Sequence, residues 1–201
     1  MARTAQPGVE KVGFYEPQRN LPRSRPRNGG EARFVLQFAK AYRTQFSSLH
    51  RRSPNTSIAL VREVPVSGYG IADLVAVAWP GGKTGKSKVP VRAAEFAARV
   101  SPTVRAFEVK MRDWRKALRQ ASRYRFFAHV PVAVLPANGN DAALRNLETF
   151  RILGVGLWTF DPDTERVRPY FTPRRRKPRD TRQHHRALHL VARATKALPV
   201  V

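Results

Sequence analysis

VRAFEVKMRDWRKALRQASRY, residues 104–124, changes its period halfway along. The first seven residues form a compact apolar run, and Glu108 and Lys110 stand two apart in it. Side chains two apart on a strand project from one face, so both can address a single site while Val109 faces the other way. From Asp113 onward the spacing lengthens to three and four. Trp114, Leu118, Ala121 and Tyr124 then share one face of a helix that Asp113 is placed to cap. A strand running straight into a helix is the unit from which layered α/β folds are built.

On the N-terminal side, EARFVLQFAKAYRTQF (31–46) sets Phe34, Phe38, Ala41 and Tyr42 three or four apart, predicting a helix with one buried face. SIALVREVPV (57–66) and IADLVAVAW (71–79) read as strands, and Ser67-Gly68-Tyr69-Gly70 joins them as a hairpin. The stretch 80–103 is an insertion that opens with the basic loop PGGKTGKSK and continues as a short helix over 91–100. On the C-terminal side, PVAVLP (131–136) is a strand and NDAALRNLETFRIL (140–153) a helix ended by Gly154. VGLWTF (155–160) and VRPYF (167–171) pair around an Asp-Pro-Asp turn. The expected fold is α/β, a mixed β-sheet flanked by helices over 29–171. A basic flexible arm (1–28) and a basic tail (172–201), a flexible link with one terminal helix, extend it.

The 38 Lys and Arg against 14 Asp and Glu give a net charge of +24. An excess of that size implies a polyanionic partner, because cations near phosphates release condensed counterions. DNA is the expected partner, with RNA as the variant. An anionic membrane is the competing polyanion, but no apolar run approaches the roughly 18–20 residues needed to span a bilayer. The start of the chain lacks the apolar core of a secretory signal, so a cytoplasmic location is expected. Without cysteine there are no disulfides and no thiolate ligands, and a metal would be held by oxygen or imidazole.

The chemistry-bearing residues gather on neighbouring elements. Asp73 lies on the second hairpin strand and Glu108 on the strand expected beside it. Two converging carboxylates suit a hard cation such as Mg²⁺ or Mn²⁺, and Lys110 alongside can orient or stabilise a hydroxide. These residues, with the helix directly after FEVK, resemble the PD-(D/E)XK nuclease superfamily. Gln120 and Tyr124 resemble the Gln-x-x-x-Tyr element of its RecB-type branch. The resemblance implies a restriction-endonuclease-like core in which Asp73 and Glu108 bind divalent metal and Lys110, Gln120 and Tyr124 belong to the catalytic centre of a DNA nuclease. The chain has Ala72 where the superfamily usually has Pro. The first helix commonly supplies a further acid, for which Glu31 is the candidate, although an acid there also complements the helix dipole whatever the function. Glu63 is a second candidate metal-site acid. Solvated charges at strand ends would explain any one of these matches, but less readily their conjunction. The alternative function is a nucleic-acid-binding protein that keeps the fold without cutting. A structural component of a ribonucleoprotein or phage assembly is a third reading, and the sequence leaves the oligomeric state open, a dimer included.

Nucleic-acid contacts are expected from Lys83, Lys86 and Lys88 of the insertion loop, from Arg112 and Arg115, and from Arg174, Arg175, Arg176 and Lys177 of the tail. GGKTGKS is not a Walker A loop, because Pro80 stands where its first Gly belongs. His184, His185 and His189 read as surface histidines, and Trp114 as a core residue.

Overall fold

The structure, a computed structural model, describes residues 14–15, 29–49, 56–80 and 92–195. Among the described residues, seven strands form one sheet in chain order. β1 (Phe14–Tyr15) pairs parallel with β2 (Thr56–Val66), and β2 turns back into β3 (Gly70–Pro80) as an antiparallel hairpin. Gly68 and Gly70 flank this turn with φ of 82° and 95°, left-handed angles that L side chains adopt at a penalty. β4 (Thr103–Val109) lies antiparallel to β3. β5 (Val130–Pro136) and β6 (Gly156–Asp161) continue parallel to β4, and β7 (Arg166–Phe171) closes the order antiparallel to β6. The sheet is mixed and flanked by helices, as the sequence predicts.

Alternation along the strands sorts the core into two layers. Leu74, Phe107, Val109, Val132, Trp158 and Phe160 face α1 (Gly29–Leu49), whose Phe34, Phe38 and Tyr42 pack edge-on or tilted against the aromatic members. Val75, Val77, Val104, Ala106, Ala133 and Leu157 face the opposite layer. That layer holds α2 (Ala93–Val100), α3 (Trp114–Arg123) with a 3-10 turn at Tyr124–Phe126, and α6 (Thr181–Thr195). Asp113 caps α3 by accepting from Lys116 N at 2.9 Å. Trp114 is half-buried at the margin of this layer and packs against Phe150.

Several expectations are corrected. The helix read over 140–153 is two, α4 (Asp141–Arg145) and α5 (Leu147–Leu153), because Asn146 lies outside helical angles and its amide donates to Ala142 O at 2.7 Å. Residues 172–180 are not a flexible link. Arg176, Arg179 and Asp180 donate their backbone N–H groups to the carbonyls of His129, Arg125 and Phe126, at 3.3, 3.1 and 2.9 Å. α6 then buries Ala187, Leu188, Val191, Ala192 and Ala194 in the second layer and packs on β2, so it belongs to the core. His184 is not a surface residue: it is 6% exposed, its Nδ1 lies 2.8 Å from Phe127 O, and its ring meets that of His129 edge-on. The basic arm expected over 1–28 lies outside the described residues except at Phe14–Tyr15. The basic loop with Lys83, Lys86 and Lys88 lies outside them entirely.

Leu188 is fully buried. Leu188→Ala should therefore lower unfolding stability by about 2–5 kcal/mol, the range for a core leucine cavity. Denaturant titration checks this, and an unchanged midpoint would show that α6 is dispensable to the core.

Candidate active site

Asp73 shares its parity with Val75 and Val77, and Glu108 with Val104 and Ala106, so both carboxylates enter the layer shared with α3. Leu74 and Phe107 are the last couple paired between β3 and β4 at this end, and Asp73 and Glu108 follow one step beyond. There Asp73 Oδ2 accepts from Val109 N at 2.7 Å, extending the link between the strands through a side chain. The two acids are 2% and 1% exposed. Carboxylates so far from water require a positive partner or a proton.

Lys110, just past the end of β4, supplies the charge. Its Nζ lies 2.6 Å from Glu108 Oε1, 3.9 Å from Asp73 Oδ2 and 2.8 Å from Glu31 Oε1. Glu31 reaches it from the first turn of α1, on the opposite side of the sheet. The structure thus gathers Glu31, Asp73, Glu108 and Lys110 about one point. The backbone also contributes, since Val109 O is 3.3 Å from the same nitrogen. Neighbouring carboxylates hold the Lys110 pKa above its ordinary value, against the effect of burial. The side chain stays an ammonium and acts as a donor, with no capacity to accept a proton at neutral pH.

Tyr124, at the end of α3, is 2% exposed. Its hydroxyl lies 2.9 Å from Ile71 O and is also bonded to Glu108 Oε2. The phenolic proton is shared between the two acceptors, and its bond to Glu108 favours the charged carboxylate. Burial, and then the negative charge of Asp73, push the Glu108 carboxyl up to about 7 despite the opposing effect of Lys110. One helical turn before Tyr124, Gln120 Oε1 is buried and has no hydrogen-bond partner among the described residues. An acceptor left dry in this way is destabilising by about 1–3 kcal/mol unless a donor arrives.

Glu63 sits on β2 in a left-handed conformation, φ 56°. The pairing of β2 with β3 runs from Arg62–Leu74 to Val64–Ala72 and omits the couple between them, so Glu63 stands across from Asp73 at an interruption of the ladder. A non-glycine residue in this region is uncommon and strained, a feature the sequence did not signal. Arg112 and Arg115 are exposed beyond Lys110, the Arg115 guanidinium lying 4.5 Å from the centre of the Trp114 ring. A larger concavity of about 360 Å³ opens on the α1 side around Tyr42, Trp79 and Arg105, apart from the carboxylates.

No protein-family model and no curated protein matches this chain. Among the described residues no three His, Cys, Asp or Glu side chains converge closely enough to hold an ion by themselves. Mg²⁺ commonly takes one or two protein carboxylates and completes its shell with water and substrate oxygens. Asp73 and Glu108, with the orphaned Gln120 oxygen one turn from Tyr124, fit that pattern.

Glu108 should titrate near 7 rather than near 4.5 by carboxyl carbon NMR. A folded-state pKa above the unfolded one makes the Glu108 contribution to stability complete below about pH 4.5. It is lost as pH climbs through about 7, and Glu108→Gln should remove this dependence. A midpoint near 4.5 would contradict the buried, acid-paired environment.

Proposed function

We propose that this chain is a metal-dependent nuclease with a restriction-endonuclease-like core, hydrolysing phosphodiester bonds in DNA with Mg²⁺ or Mn²⁺. The observation that carries the reading is the single ammonium lying 2.6 Å from Glu108 and 3.9 Å from Asp73, at the adjoining ends of β3 and β4. It supports two buried acids and a lysine acting on one point, the arrangement that the resemblance to PD-(D/E)XK nucleases implies. The net charge of +24 supports a polyanionic substrate.

Asp73 and Glu108 would hold the cation, with Val109 O beside them. A divalent ion bound there polarises the phosphoryl oxygens and lowers the pKa of water. Lys110, fixed by Glu31, donates toward the oxygen that attacks or toward the charge that grows on the phosphate. Tyr124 fixes the rotamer of Glu108 from α3, and Gln120 Oε1 offers an acceptor to a water proton. The exposed Arg112 and Arg115 lie where a phosphate backbone entering the centre would pass.

Cleavage of labelled duplex, single-stranded and branched DNA with Mg²⁺ tests the reading. Asp73→Ala, Glu108→Ala and Lys110→Ala should each lower kcat/KM by about 10²–10³, the range for losing one preorganised electrostatic group. Full cleavage by Asp73→Ala and Lys110→Ala would remove the centre from the mechanism. DNA binding without any Mg²⁺-dependent cleavage, and no calorimetric Mg²⁺ or Mn²⁺ site sensitive to Glu108, would mark a binding protein instead.

A further inference from the structure

We propose a second anion site, for a phosphate group of a nucleic-acid strand, in the concavity of about 160 Å³ lined by Arg125, Arg174, Arg176, Lys177 and Arg179. The inference borrows the nucleic-acid partner from the proposed function and nothing from the carboxylate centre.

The site is separate from that centre. Its floor includes Ala128, His129 and Pro131 at the entry to β5, and Gly154 before β6. His129 N donates to Val104 O at 2.8 Å, whereas Lys110 N donates to Val134 O at 3.0 Å, so the two sites lie at opposite ends of the parallel strands. At about 3.3 Å per residue, the four steps from Val104 to Glu108 put them about 13 Å apart along β4.

Five cations meet here, and among the described residues none of them pairs with a carboxylate. Arg125 Nη1 donates to Leu153 O at 2.9 Å, and the Arg179 guanidinium lies 5.9 Å from the centre of the Phe126 ring. These contacts orient the groups without neutralising them. Burial, then the charges of Arg179 and Arg176, hold the Arg125 pKa below its ordinary value, the sign of like charges held together. An anion relieves that repulsion. Arg175, next in sequence, turns away and donates to Ser101 O, Ser101 Oγ and Pro102 O. The backbone bonds that dock 172–180 are what bring Arg176 and Arg179 over Arg125.

Chemistry selects the ligand. Five cations around an open concavity suit a tetrahedral oxyanion, and a phosphate group carried by a strand can reach them from solvent. Guanidinium forks match phosphate oxygens two at a time.

The test is fluorescence anisotropy of a labelled DNA duplex in EDTA, where no cleavage occurs, at several salt concentrations. Arg176→Gln/Arg179→Gln, both exposed, should weaken binding at least tenfold at low salt and flatten the log K against log salt slope by about one. Arg166→Gln/Arg168→Gln on β7 removes the same charge elsewhere and should change affinity less than about threefold. Equal losses in the two double variants, or a wild-type protein that does not bind DNA, overturn the site. Loss on a 5′-phosphorylated duplex alone assigns a terminal phosphate, and loss on the 5′-hydroxyl duplex as well assigns the backbone diester. Polyglutamate losing affinity to the same degree overturns phosphate in favour of an acidic peptide. In wild type, inorganic phosphate should shift the amide resonances of Ala128 and Gly154, and unmoved resonances also overturn the assignment. Binding lost through Arg176 and Arg179 speaks only to this pocket, and cleavage lost through Asp73 only to the carboxylate centre.

Discussion

The contact of the Lys110 ammonium with Glu108, with Asp73 close by, is the interaction on which the adjoining ends of β3 and β4 rest. The surrounding layer consists mainly of Val, Ala, Leu and aromatic side chains, where an unpaired carboxylate is strongly disfavoured. One cation offsets two acids and, through Glu31, ties the first turn of α1 to the far side of the sheet. The compensation is incomplete, because Glu108 remains easily protonated. Such an environment favours the approach of a further positive charge.

Much of this arrangement is legible in the sequence, for reasons that can be named. Phe34, Phe38 and Tyr42 repeat at helical spacing because α1 covers the sheet with one face only. The hairpin was visible because its glycines mark the turn and its β-branched residues line the strands. Glu108 and Lys110 could be placed together because the two-residue period of a strand leaves little freedom. The adjacency of β3 and β4 then followed from chain order, and the observed register sets Asp73 one step past Leu74 and Phe107.

What escaped the sequence depends on partners distant in the chain. α6 carries Arg182, Arg186 and Arg193 among small apolar residues, so its buried stripe of Ala187, Leu188, Val191 and Ala192 is diluted by charge and reads as a solvated tail. His184 is buried only because Phe127 O and the His129 ring await it. The left-handed Glu63 has no local signature, since neither Gly nor Asn marks it. Asn146 splits a helix through a side-chain bond that spacing rules do not register. The gathering of Arg125 with Arg176 and Arg179 likewise needs the docking of 172–180, which no periodicity announces.

The strands lie side by side in the order in which they are synthesised, so each can add to the one before it as the chain leaves the ribosome. α6 breaks that simple progression, because the last described helix packs on β2, the first long strand. Until residues 181–195 emerge, the apolar surface around Val61 and Val64 has no cover from α6. The nascent protein therefore leaves that part of β2 without its α6 cover for as long as it takes to translate everything from β3 onward.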